Sequence, residues 1–393
     1  MQNLCKKTVI LLTLLSIRVY FESMSELNWK IGLEIELMAP MGLSRKDLAE
    51  SIAEKYNGSV HRIFYPQSEP SQVPGTQVFQ NLTLGFEVFY PQGNLIARCV
   101  DDLTLQDDLD KAQKPQPGWY RIVSDDTRLL QLVSCQSDAL FSLNQVLKPI
   151  AALFGTDTET GPEGMIRVAD NTGNPIAIAA PLPGERERPC ELITPPISKD
   201  HFQYLEPLLE IARSLGFTIP REGATHIHFD GKALCSARIF ANLVNILWTY
   251  GEILKQLVGT NPQCRRLGVW DYDLLEMVNE SDFRELSWEE AQTRLTKLQL
   301  TKYCDFNLKN LIHHIPGKHT FEVRIFPVWL ESKPILESAM LIEAVLNYVI
   351  SMEKISPATL LQWDLVTVKE FLLSLPMSEE LRILWLSRAA KVS

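Results

Sequence analysis

IGLEIELM, residues 31–38, reads as one strand with two unlike faces. Ile31, Leu33, Ile35 and Leu37 alternate with Gly32, Glu34 and Glu36, and successive side chains of a strand point to opposite sides. One face is wholly apolar and must bury against a core. The other carries two carboxylates about 6.5 to 7 Å apart, the spacing of residues i and i+2. The same design recurs twice further along. In ATHIHFD, residues 224–230, Thr225, Ile227 and Phe229 oppose His226, His228 and Asp230. In TFEVRIFP, residues 320–327, Phe321, Val323 and Ile325 oppose Glu322 and Arg324.

A polar strand face is ordinarily a solvent face. Solvent, however, favours Lys, Thr, Gln and Glu, whereas Asp230 aside this set is Glu, Glu, His, His, Glu and Arg. Those types coordinate divalent ions and phosphate oxygens. If the strands adjoin in one sheet, their polar faces form a single wall whose carboxylates repel one another unless a cation lies between them. The expectation is a wall that holds metal ions, Mg²⁺ or Mn²⁺. A fourth string, CELITPP at 190–196, sets Glu191 on a short β segment closed by Pro195 and Pro196.

The rest of the chain reads as mixed. Alternation predicts further strands at 85–90, 119–123, 129–133, 175–180 and 190–194, and helical periodicity predicts helices near 44–56, 138–153, 200–215, 235–258, 335–353 and 377–390. Strands and helices do not alternate regularly, and no glycine-rich nucleotide loop follows a strand, which argues against doubly wound folds. The fold class expected is α+β, a mainly antiparallel sheet backed by helices. Residues 155–189 gather Gly155, Gly161, Gly164, Gly173 and Gly184 with Pro162, Pro175, Pro181 and Pro183, then the charge run Glu185, Arg186, Glu187, Arg188. Such composition marks a loop-rich connection, either a lid over a pocket or a solvated linker.

Composition bounds the function classes. The 393 residues are 46% hydrophobic and 22% charged, ample for a core and outside the disordered range. Lys and Arg number 38 against 48 Asp and Glu, a net charge of −10 that repels phosphate backbones and argues against nucleic-acid binding. Seven cysteines include no CxxC pair, so neither a disulfide framework nor a thiolate zinc site is indicated and a reducing, cytoplasmic setting fits. The apolar stretch 9–17, preceded by Lys6 and Lys7, is about half of what spans a bilayer. Residues 1–23 read as a leader or an upstream extension of the frame, with translation starting at Met24. Residues 24–353 then form one catalytic domain and 354–393 a helical tail.

Taken together, the four strings resemble the amidoligases, carboxylate-amine ligases that share their fold with glutamine synthetase and glutamate-cysteine ligase. GLEIEL is similar to that family's opening GxExE strand, CELITPP to its Glu-containing SP element, ATHIHFD to its H-x-H strand and TFEVRIFP to its EFR strand, in the same order. CDFNLKNL resembles the family's LNL segment, with Asn307 as the polar member. The resemblance covers about residues 29–353 and implies a catalytic half-barrel-like wall. It further implies that Glu34, Glu36 and Glu191 hold divalent metals, that Glu322 holds a second or shared one, and that His226, with His228 nearby, bridges metal and nucleotide phosphates. Arg324 would bind the transferred phosphoryl group, and Asn307 would belong to the nucleotide site. The implied reaction joins a small-molecule or peptide carboxylate to an amine with ATP and Mg²⁺, through an acyl phosphate. The variable stretch 65–130, where Asp101, Asp102, Asp107, Asp108 and Asp110 cluster, departs from the simplest members and is expected to shape substrate choice.

Three rivals stand beside this reading. A metal-dependent hydrolase is suggested by the H-x-H pattern, which also binds zinc. A phosphotransferase of the same superfold would use the same wall, and a binding protein would keep the fold without turnover. Other residues read as structural. His313, His314 and His319 flank a Pro316-Gly317 turn and suit solvent, Cys190 suits a small buried hydrophobe, and Trp270, Trp288 and Trp329 suit packing. The acidic pairs at 101–102 and 107–108 could take a cation or an amine, though such clusters are usually solvated.

Overall fold

A computed structural model describes residues 27–68, 80–113, 116–124, 126–264, 266–313 and 318–392, so the expected leader lies outside the described residues. In chain order the strands are β1 (Ile31–Met38), β2 (Ser59–Ser68), β3 (Gln80–Phe89), β4 (Leu95–Val100), β5 (Tyr120–Ser124) and β6 (Glu159–Thr160). They continue with β7 (Ile166–Ala169), β8 (Pro175–Pro181), β9 (Pro189–Ile193), β10 (Ala224–Asp230), β11 (Phe306–Asn307) and β12 (Thr320–Pro327). All 12 join one sheet in the order β11-β12-β10-β1-β9-β4-β3-β5-β8-β7-β6, with β2 paired to β3. Every pairing is antiparallel, and the sheet is open. The fold class is α+β, as expected.

The strands β12, β10, β1 and β9, which carry the four strings, are consecutive neighbours. Their apolar faces pack on the helices His201–Ser214, Ala237–Val258 and Ser332–Ser351. Ile31, Leu33, Ile35, Ile227, Phe229 and Val323 are buried there with Leu208, Phe240, Leu243 and Leu341. Each such side chain contributes about 1.5 to 3 kcal/mol by leaving water, so the strand alternation is held in register from below. The Ser332–Ser351 helix is long and apolar enough to cross a membrane, but 72% of that window is buried inside the fold. It is a core helix. The Ala237–Val258 helix stops at Gly259, whose φ of 70° is the left-handed cap that glycine adopts without strain.

A second, smaller core lies under the outer strands, where Leu82, Leu84, Tyr120, Ile122, Val168 and Ala179 meet Leu130, Val133 and Ile150. Here the expectations need correction. Residues 129–133 belong to a helix, Thr127–Gln136, capped by Asp126, whose side chain accepts from the Arg128 N–H. The apolar pairs Leu129/Leu132 and Leu130/Val133 are spaced i, i+3, a helical face mistaken for strand alternation. Of the helix expected at 138–153, only Lys148–Leu153 is helical; turns closed by Asp138 and by the Ser142–Gln145 pair occupy the rest. The loop-rich 155–189 stretch contains, besides the strand expected at 175–180 (β8), two that were not, β6 and β7. Nor is its charge run a solvated linker: Glu185, Arg186 and Glu187 are buried. Asp101 and Asp102 are buried too, against the solvated state usual for acidic pairs. The strands at 59–68 and 95–100 and the helices Tyr272–Val278 and Trp288–Leu295 are not among the expected elements, whereas Leu365–Ser374 and Glu379–Val392 lie in the expected helical tail.

Candidate active site

Register builds the site. Across β1 and β10, Glu34 stands opposite His226 and Gly32 opposite His228. Across β1 and β9, Glu36 stands opposite Glu191, and His228 stands opposite Glu322, which in turn faces Asn307 on β11. Between β10 and β12 the register slips: Thr225 pairs with Phe326 but Ile227 with Val323. Arg324 and Ile325 thus share the place opposite His226, a bulge of the kind that re-aims side chains beside active sites.

The outcome is one cleft of about 460 Å³, whose lining includes Glu34, Glu36, Glu191, His226, His228, Asn307, Glu322 and Arg324. Every site residue expected from the sequence is there. His226 Nδ1 lies 3.3 Å from Glu34 Oε2, and its Nε2 lies 3.6 Å from Glu36 Oε1. His228 Nε2 lies 3.3 Å from Glu34 Oε1, with its Nδ1 3.2 Å from Thr320 Oγ1. Arg324 Nη1 donates to Glu322 Oε1 at 2.6 Å, while Asn307 Nδ2 donates to Glu322 Oε2, also at 2.6 Å. Glu322 is therefore clamped on both oxygens.

Two ligand groups emerge. Glu34, Glu191 and His226 offer donor atoms within 4.8 Å of one another, and so do Glu34, His228 and Glu322. Glu34 is common to both, and Glu36 belongs to neither; one Glu36 oxygen accepts the Ala224 N–H at 2.8 Å. The histidines are divided between the groups, which is unlike an H-x-H pair closing on a single zinc ion.

Electrostatics points the same way. Burial raises Glu34, but the charge of His228 and the hydrogen bond of His226 outweigh it and hold the carboxyl well below its ordinary range. Burial, reinforced by the Glu34 charge, pushes Glu191 well above that range. Glu36 is pushed up likewise by burial and by Asp102. Burial lowers His226, aided by Arg324; for His228 it is outweighed by Glu34 and Glu322, which raise it. Buried carboxylates that drive each other's protonation make a floor that a divalent cation would relieve. His228 Nε2 and Arg324 Nε are buried without a hydrogen-bond partner among the described residues. The donor set, carboxylates with one imidazole per group, fits such a metal.

Sequence reading marked one part of the walls only as the stretch 65–130 and missed the rest. Tyr65, Gln67 and Gln80 enter from β2 and β3, and Asp102 from the end of β4. Arg266, Lys302, Lys309 and Lys318 form a cationic rim, with Tyr303 among them. Asp102 and Lys309 had signals, in the acidic cluster and in the string that carries Asn307. Arg266 and Lys302 had none, since they sit on irregular chain. Neither His313 nor His319 lines the cleft, and His314 lies outside the described residues. Cys190 is a fully buried hydrophobe, and Trp270, Trp288 and Trp329 pack against the main core, as expected.

A family model described as "Putative amidoligase enzyme" matches residues 27–346. No curated protein matches the chain.

Proposed function

The chain belongs to the amidoligase enzymes, and from that premise we propose that it is an ATP- and Mg²⁺-dependent carboxylate-amine ligase forming an amide or peptide-like bond through an acyl phosphate. The observation that carries this reading is Glu34, shared by two ligand groups on a floor that also bears Arg324. Glu34, Glu191 and His226 would hold one ion and Glu34, His228 and Glu322 a second, with Glu36 beside the first. Mg²⁺, or Mn²⁺, which accepts imidazole more readily, would neutralise ATP oxygens there.

The remaining roles fall to the chain's own groups. Arg324 is held by Glu322 through Nη1, and its Nε, without a partner among the described residues, would donate to phosphoryl oxygens. Asn307 fixes the second Glu322 oxygen and, through its Oδ1, accepts the Lys309 N–H. His226, kept neutral by burial, lies between Glu34, Glu36 and Glu322 and would meet the nucleotide phosphates. The substrate carboxylate attacks the terminal phosphorus and ADP leaves. The neutral amine then attacks the acyl carbon, inorganic phosphate leaves, and the amine loses a proton. The six described cysteines are free, and a cytoplasmic setting belongs to the same proposal.

The test uses purified protein with ATP and Mg²⁺, a panel of carboxylates, and hydroxylamine as a general amine. Phosphate release must require both carboxylate and amine, with a hydroxamate as product. Arg324→Ala should lower the rate about 10³-fold, the scale of losing an arginine from phosphoryl transfer. A stable phosphorylated product, or amide hydrolysis without ATP, would sink the ligase in favour of a phosphotransferase or a hydrolase.

A further inference from the structure

The cleft has two cationic ends, and the floor residues account for neither. At one end Lys309 and Lys318 line it. Asn310, next to Lys309, donates to Thr320 Oγ1, which sits 3.2 Å from His228 Nδ1, so this end adjoins the Glu34, His228, Glu322 group. At the other end stand Arg266, Lys302 and Tyr303. The Arg266 guanidinium lies 5.0 Å over the Tyr303 ring and Lys302 Nζ lies 5.3 Å from the same ring centre. Both cations therefore pack against the same aromatic ring. Arg266 Nη2 is buried yet has no hydrogen-bond partner among the described residues. The neighbouring acid, Asp102, whose Oδ1 accepts the Thr104 N–H at 2.8 Å, makes no hydrogen bond to that nitrogen among the described residues. A buried guanidinium donor left without a partner is costly, and a free fork of this kind suits a planar, bidentate anion.

Transfer geometry separates the two ends. The attacking and leaving oxygens lie roughly in line on opposite sides of the phosphorus. A terminal phosphate over the floor at Arg324 therefore has its nucleotide toward one end and the attacking carboxylate toward the other. The Lys309 and Lys318 end suits a polyphosphate. At the Arg266 end Asp102, which belongs to neither ligand group, also lines the cleft and would repel a polyphosphate, whereas a single anionic group can still be gripped by the fork. Resting on the ligase reading, we propose that Arg266, Lys302 and Tyr303 bind a second anionic group of the carboxylate substrate. The substrate class is then a dianionic acid, not a simple monocarboxylic one.

Calorimetric titration in the presence of Mg²⁺ and ADP tests this, with succinate, glutarate and adipate set against butyrate, valerate and hexanoate, which match them in carbon number. At least one diacid should bind about tenfold or more tighter than its partner, the worth of a charge-assisted hydrogen-bond pair. Arg266→Gln and Lys302→Ala should each erase that preference while leaving affinity for Mg²⁺-ADP within about twofold; Lys318→Ala should do the reverse. Lys302 is exposed, so its variant carries the test even if the Arg266 variant does not fold. The proposal is overturned if no diacid outbinds its partner, if the preference survives Lys302→Ala, or if the Arg266 variant loses Mg²⁺-ADP. Failure of the wild type to bind Mg²⁺-ADP would break the ligase reading itself; diacids failing while Mg²⁺-ADP binds would break this inference alone.

Discussion

The two ends of the sheet treat their polar faces in opposite ways. On β12, β10, β1 and β9, Glu36, Glu191, His226, Glu322 and Arg324 are all buried, so charged groups have been taken from water at a cost that only pairing offsets. On β7 and its neighbours the polar face meets solvent, and Arg167 bonds Glu159 at an exposed surface, where an ion pair is worth little. Both ends are antiparallel sheet over an apolar core. Desolvated charge, not strand architecture, distinguishes the end of the sheet that carries the candidate site.

Glu34→Ala is the largest way to break this comparison. Because Glu34 belongs to both ligand groups, its loss should remove detectable turnover and weaken both metal sites together. Glu191→Ala should weaken one. Mn²⁺ titration followed by electron paramagnetic resonance reads the difference, and an unchanged two-site isotherm in Glu34→Ala would refute the shared ligand.

Next in size is the joint between the two ends. Arg186 Nη2 donates to Asp101 Oδ1 at 2.8 Å, Arg45 Nη2 lies 3.6 Å from Asp101 Oδ2, and Arg45 Nη1 donates to the Arg186 carbonyl at 2.8 Å. Arg45 also lies over the Trp119 ring at 4.5 Å. Arg186→Ala leaves Asp101 buried with a weaker partner and should cost about 3 to 5 kcal/mol in urea denaturation. Here buried charge serves the frame. Asp102 follows directly and lines the cleft, so turnover should fall as well, though far less than in Glu34→Ala. A change below about 1 kcal/mol would place this cluster with surface pairs.

Legibility followed the same divide. β1 and β10 match their sequence limits because one face must be apolar over a long core and the other carries types that solvent would not select. The outer strands lacked that double constraint. Pro175 and Pro181 sit at the ends of β8, where strands tolerate proline, and the alternation between them marks that strand, whereas the short β6 and β7 read only as loop. Arg186 reads as solvated beside Glu185, Glu187 and Arg188; only its long-range partner Asp101 shows that it is buried. The floor of the site was legible, since period and residue type mark it. Its walls were not, because Asp102, Arg266 and Lys302 depend on which loops the fold brings over the sheet.

A smaller effect separates the two cores. Ile122 is fully buried in the outer core, and Ile122→Val should cost about 1 kcal/mol of stability with turnover unchanged. If turnover falls by tenfold or more, the outer end is coupled to the chemistry and the divide is too sharp.

The smallest effect is a pH dependence in the turn from β7 to β8. The Asp170 carboxylate accepts from Thr172 Oγ1 at 2.7 Å, from Asn174 N at 2.8 Å and from Asn174 Nδ2 at 3.1 Å. The Thr172 hydroxyl, with the Asn174 donors, lowers its pKa to about 2, against about 3.9 for an unfolded aspartate. Because the folded value is the lower one, this contribution to stability is present above about pH 4 and is lost as pH falls toward 2. Asp170→Asn should therefore destabilise at pH 6 and converge on the wild type near pH 2, in denaturation midpoints measured across that window. The group is exposed and the effect small. A constant offset between the two proteins down to pH 2 would show that the turn depends on the shape of the side chain and not on its charge.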